Sequence, residues 1–148
     1  MQGLFLCLLL AVVAAAKSMP ESGYSLGVRS SIMVAHSFND EEFGPAQQMH
    51  GATYTVDVDF ETEDLAKKLN WVIDIGAALD MLGEVLKAYN FKNLNEVFPE
   101  ENTTTEFMCK VIHKDLAEKL KCKNWKGGLR VKLHESHNAW ATYHGEVE

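Results

Sequence analysis

Apolar and polar residues alternate sharply in two early stretches of the chain. From Tyr24 to His36, Tyr24, Leu26, Val28, Ile32 and Val34 share one parity, and Ser25, Gly27, Arg29 and Ser31 the other. From Thr53 to Phe60, Tyr54, Val56, Val58 and Phe60 alternate with Thr53, Thr55, Asp57 and Asp59. Successive strand side chains point to opposite faces, so each stretch predicts a half-buried strand. Between them, Asn39 to Gly44 is polar and acidic and runs into Pro45, which reads as a loop. Glu61 to Asn70 is a polar connection with room for a short helical turn.

The period then changes. Ile75, Ala78, Leu79, Leu82, Val85 and Leu86 follow helical spacing, and Asp74 offers an N-cap, so a helix is expected over 74–89. A loop follows from Asn90 to Glu101. Phe107, Met108, Val111, Ile112, Leu116 and Leu120 supply the stripe of a second helix over 103–121, with Thr103 and Glu106 spaced as a capping box. Gly127-Gly128 marks a turn, and 129–135 with 139–144 read as a closing hairpin. The order is strand, strand, helix, helix, strand, strand. It predicts an α+β domain, with a four-stranded antiparallel sheet and two helices on one face. Such a sheet has open edges that must be covered or paired.

The remaining composition narrows the class. A chain of 148 residues with 47% apolar and 24% charged residues is a single globular domain, assigned to 24–148. The net charge of −7 argues against nucleic acid, which requires clustered Lys and Arg. Lys110, Lys114, Lys119, Lys121, Lys123 and Lys126 are interspersed with acids and read as a solvated helix face.

Before the domain, Leu4 to Val13 is almost wholly apolar and Ala14 to Ala16 are small. Residues 1–16 therefore read as a signal peptide, although no basic residue precedes the apolar core. Residues 17–23 read as a flexible lead-in. The apolar run is short for a bilayer span, so no membrane span is expected once the leader is removed. The protein is secreted or organelle-targeted if that leader is genuine, and cytoplasmic otherwise. Cys7 falls in the leader. Cys109 and Cys122 are 13 residues apart on the second helix, roughly 20 Å at about 1.5 Å per residue. A disulfide needs Cα atoms within about 7 Å, so two free thiols are expected.

Three segments carry candidate chemistry: Val34-Ala35-His36, His50-Gly51-Ala52-Thr53-Tyr54, and Leu133-His134-Glu135-Ser136-His137. In order and spacing they resemble the 6-pyruvoyl-tetrahydropterin synthase and 6-carboxy-tetrahydropterin synthase family. The resemblance covers about Tyr24 to Gly145. It implies the tunnelling fold, a homo-oligomer (trimer or hexamer) whose sheet edges pair into a barrel, and a zinc and pterin site at a subunit boundary.

That family's second strand opens His-x-His, which sets two rings on one face of a strand. Here the third position is Ala52, so His36 and His50 remain as metal ligands. Catalytic zinc usually has three protein ligands and an open position. If the last strand continues past Glu135, His137 shares its parity and can supply the third ligand. It is also the candidate catalytic group, with acids of the 39–42 loop as further ligand candidates. His113 and His144 read as structural.

The resemblance further implies that Glu135 holds the pyrimidine edge of a pterin. Glu135 shares parity with Val131 and Leu133, which would place it on an apolar face, where a carboxylate needs a donor partner. Thr104-Thr105-Glu106 matches the family segment that caps the second helix and touches the pterin. Asn102, although in a glycosylation sequon, then lies beside the pocket. Two family features are missing. No cysteine lies in 39–49, and the family's Asp-His pair reads Asn90-Phe91, which cannot act as acid or base.

The expected function is thus a lyase of the 6-pyruvoyl-tetrahydropterin synthase type, eliminating triphosphate from 7,8-dihydroneopterin triphosphate with zinc. The alternative is a non-catalytic pterin- or purine-binding oligomer on the same fold. A secreted structural oligomer without ligand is a third reading.

Overall fold

The computed structural model describes residues 23–148. The proposed leader, most of the lead-in and Cys7 lie outside the described residues. Strand β1 (Tyr24–His36) pairs antiparallel with β2 (His50–Thr62), and β2 pairs antiparallel with β4 (Gly127–His134). The last strand, β5 (Trp140–Val147), closes the hairpin with β4. Helix α1 (Ile75–Leu86) packs on β1, and helix α3 (Thr105–Cys122) packs on β4 and β5 and against α1. The α+β class and the helices on one face are as expected. The sheet is mixed rather than purely antiparallel. A two-residue strand, β3 (Lys92–Asn93), adds a parallel edge beside Val34 and Ala35, giving the order β3-β1-β2-β4-β5. A short helix α2 (Leu94–Val97) follows it, capped by Asn93, whose side chain accepts from the Asn95 amide.

The alternation in the sequence is the reason the core forms where it does. Tyr54, Val56, Val58 and Phe60 of β2 and Leu129, Val131 and Leu133 of β4 are fully buried beneath the helices. They meet Leu82 of α1 and Met108, Ile112, Leu116 and Leu120 of α3 in one cluster. The opposite face carries ion pairs. The Asp57 carboxylate takes a hydrogen bond from Arg29 Nη2 at 2.8 Å and lies 3.0 Å from His134 Nε2. Arg130 pairs with Glu61.

Several boundaries differ from expectation, among them the ends of β2 and β5, which run beyond 53–60 and 139–144. The acidic loop folds partly into a 3-10 turn over Glu41–Gln47, started by Asp40, whose side chain accepts from the Glu42 amide. Helix α1 ends at Leu86, before Tyr89. The N-cap of α3 is Thr104, which accepts from the Phe107 amide at 3.3 Å, so Thr103 and Glu106 do not form the expected capping box. Finally, β4 stops at His134, and Glu135 to Asn138 form a bend closed by the Glu135 amide donating to the Ala139 carbonyl. The strand does not run on past Glu135, so the parity argument that aimed His137 at the metal site lapses. Among the described residues, no helix is long and apolar enough to cross a membrane.

Candidate metal and ligand site

The candidate residues meet at one end of the sheet, on its helix-covered side. His36 ends β1 and His50 begins β2, and the two lie directly opposite in the strand register. Both share the parity of core residues, Ile32 and Val34 for His36 and Tyr54 for His50, so both rings face the helices. Their centroids are 4.6 Å apart. Val34 faces Ala52 two pairs further in, on the same face of the sheet, so the small side chain stands where a third ring would project beside them.

His36 is fully buried. Its Nδ1 lies 3.1 Å from both the carbonyl oxygen and the hydroxyl of Thr103. A carbonyl can only accept, so Nδ1 carries the proton and Nε2 presents a lone pair. That buried Nε2 has no protein hydrogen-bond partner. His50 repeats the pattern, with Nδ1 2.8 Å from the Gln48 carbonyl oxygen. Burial lowers the His36 pKa, and the neighbouring His50 lowers it further, against the pull of Thr103 and Glu135. The ring is therefore neutral near pH 7, the form that binds metals.

Glu135 completes the group. One ligating atom from each of His36, His50 and Glu135 falls within 4.8 Å of the others. Glu135 lies just beyond β4 and keeps the parity of Val131 and Leu133, yet it is exposed rather than buried, because the bend lifts it clear of the core. Its Oε2 accepts a 2.7 Å hydrogen bond from the Thr105 hydroxyl in the first turn of α3. Below it, the Tyr54 hydroxyl is buried and close to Thr105 and Glu135. Burial and the Glu135 charge raise the Tyr54 pKa, so the phenol stays protonated. A set of two imidazoles and a carboxylate, with a buried ring nitrogen left unpaired, fits a divalent metal such as zinc.

The segment over the site is pinned in place. Asn95 holds Ser37 from both sides, accepting from its amide and donating to its carbonyl oxygen at 2.8 Å each. Asn102 accepts from the Asn39 amide at 2.8 Å, which ties that sequon residue to the loop beside the site. Phe38 stands edge-on to His36 at 4.9 Å and contacts Phe43 at 4.6 Å.

The other expected residues fall as follows. Thr104 caps α3 and Thr105 touches Glu135, while His137 is exposed on the bend and outside the three-residue group. Asn90 and Phe91 brace the β1 edge. The Asn90 side chain accepts from the Met33 amide at 3.0 Å, and the Phe91 amide donates to the Met33 carbonyl at 2.7 Å. Cys109 is buried in α3, where desolvation pushes its thiol up to about 11, and Cys122 is exposed at the helix end. Neither lies in the 39–49 segment, where the resemblance implies a cysteine. Asn95 and Phe38 were not singled out from sequence, and Thr103 was expected only as a helix cap. Only the proximity of Thr103 to the Thr104-Thr105 pair could have drawn attention to it.

No curated protein matches the chain. Among solved structures, the 6-pyruvoyl tetrahydropterin synthase of Caenorhabditis elegans aligns with a TM-score of 0.72 at 21% identity, over 86% of this chain and 97% of that one. The enzyme of Plasmodium vivax aligns with 0.68 at 17% identity, over 86% and 100%. That of Plasmodium falciparum aligns with 0.64 at 17%, over 84% and 98%. These likenesses establish the fold. The model of the family described as 6-pyruvoyl tetrahydropterin synthase matches residues 25–146, from the first strand to the last, and the chain belongs to that family.

Proposed function

We propose that the chain is a divergent pterin-handling lyase of the 6-pyruvoyl tetrahydropterin synthase type. It would bind 7,8-dihydroneopterin triphosphate at the strand-end site and eliminate triphosphate. The carrying observation is the placement of Glu135 and Thr105 beside two histidines whose Nδ1 atoms are tied to carbonyls. A pterin presents a ring N–H and an exocyclic amino group side by side, and a carboxylate accepts from both. Thr104 and Thr105, at the first turn of α3, would add hydroxyl contacts. Zinc held by His36 and His50 would supply Lewis-acid polarisation of the substrate's side-chain oxygens.

His137, two residues beyond Glu135, is the candidate proton acceptor, since Asn90 and Phe91 are bound up in the β1 edge. Structures of the Plasmodium vivax relative are described as mutants of a catalytic residue, a glutamate. We further propose a homo-oligomer, trimer or hexamer. Among the described residues, the outer edge of β5 and that of β1 from Tyr24 to Met33 have no strand neighbour. Pairing them between subunits would remove both edges.

The second reading, a non-catalytic pterin or purine binder, is favoured by one observation. The segment that would hold the family's Asp-His pair is structural here. Incubating the full chain with zinc and 7,8-dihydroneopterin triphosphate, and following tripolyphosphate release, separates the two. Release above the uncatalysed rate supports the lyase. No release from protein that binds 7,8-dihydroneopterin identifies the binder.

A further inference from the structure

We infer that Glu135 is the third metal ligand, taking the place that Ala52 leaves vacant and giving a site of two histidines and one carboxylate. The inference deepens the proposed metal and pterin site and concerns which of its atoms hold the ion. Its ground is an outer shell that is complete for these three residues. Metal-bound histidines nearly always give their second ring N–H to a carbonyl or carboxylate, and metal-bound carboxylates are themselves hydrogen-bonded. Here the His36 Nδ1 faces Thr103, the His50 Nδ1 faces the Gln48 carbonyl, and one Glu135 oxygen accepts from Thr105. Each residue thereby keeps a ligating atom beyond its outer-shell contact, and one ligating atom from each of the three lies within 4.8 Å of the others.

Two of the three supports, Thr103 and Thr105, flank the N-cap of α3, so a single helix terminus orients ligands from β1 and from the end of β4. The buried Nε2 of His36 has no other protein partner to satisfy it.

The donor set changes what the site accepts. Exchanging a ring for a carboxylate makes the site harder, and two histidines with one carboxylate suit Fe(II), Co(II) and Mn(II) as well as zinc. It also gives Glu135 two claims on it. The oxygen that binds the metal is also an acceptor for a pterin edge, so metal and pterin should weaken each other's binding, by the same factor in either order.

The test is cobalt(II) and zinc binding to the full chain, read by cobalt absorption and chelator competition, with circular dichroism to confirm folding. One ion per chain is expected. Glu135→Gln and His50→Ala should each weaken binding by about tenfold or more, as loss of a ligand costs at least what loss of its support does. His137→Ala should bind as wild type does. In an Ala52→His background the restored ring takes over, and Glu135→Gln should then cost little.

If Glu135→Gln proves unfolded, Glu135→Asp, which keeps the charge but shortens the reach, carries the same expectation of weaker binding. Undiminished metal affinity in Glu135→Gln, or no metal binding by wild type, overturns the inference. If that variant keeps metal but loses 7,8-dihydroneopterin, Glu135 serves the pterin alone. The inference then falls while the proposed function stands.

Discussion

Substituting Thr103→Val probes the support of His36 without touching a ligand. Thr103 is fully buried, and both its hydroxyl and its carbonyl oxygen sit 3.1 Å from His36 Nδ1. Valine keeps the branched shape and the backbone carbonyl but deletes the hydroxyl. The ring N–H retains one acceptor, so no charge and no N–H is stranded. The loss is one shared hydrogen bond, worth about 0.5–1.5 kcal/mol. For a domain of this size that lowers Tm by roughly 2–6 °C.

The ring would then be held by one contact rather than two. Outer-shell substitutions weaken metal binding about 10–100-fold, and the surviving carbonyl bond argues for the lower end. Calorimetric melting of the metal-free protein and zinc competition with a chelator read the two effects separately. Zinc affinity unchanged in a variant of lowered Tm would refute the reasoning, because the hydroxyl would then serve packing alone.

Two further predictions concern the fold. Phe60 is fully buried and meets Trp125 edge-on at 5.8 Å, so Phe60→Ala should cost about 3–5 kcal/mol in urea denaturation; a loss below about 1 kcal/mol would place it outside the core. Burial lowers the pKa of both His36 and His113, so the unfolded chain takes up protons first as pH falls. Stability should be fully present above about pH 6.5 and decline below it, and a urea midpoint at pH 5.5 equal to that at 7.5 would contradict this.

Much of this architecture was legible because one physical signal dominated each element. The alternation from Thr53 to Phe60 and the stripe from Phe107 to Leu120 each describe a single buried face, and both elements formed there. What sequence could not supply was set by contacts between distant segments. β3 exists because Lys92 and Asn93 reach the end of β1, and two residues carry no periodicity to detect. Thr103 and Thr104 are equally good caps in isolation. The tie between Thr103 and His36, 67 residues away, left the cap to Thr104.

In the site, the histidine pair came from the family resemblance, while the side of the sheet on which Glu135 sits followed from strand parity. Its exposure did not, because the bend at Glu135 to Asn138 ends the strand one residue before it. The same bend removed the reason for aiming His137 at the metal. Sequence parity put Glu135 on an apolar face and the resemblance assigned it to a pterin, so its approach to the two rings was not expected from sequence.

The central claim is that this chain holds a pterin ring through Glu135, and isothermal titration of 7,8-dihydroneopterin tests it most directly. Wild-type protein should bind one ligand per chain. Glu135→Gln turns one acceptor oxygen into a donor facing the ligand's own donors and loses a charged hydrogen-bond pair, so it should bind weaker by about 1.5–3 kcal/mol, roughly 10- to 150-fold. Equal affinity in the two proteins, or no binding to wild type, would contradict the account.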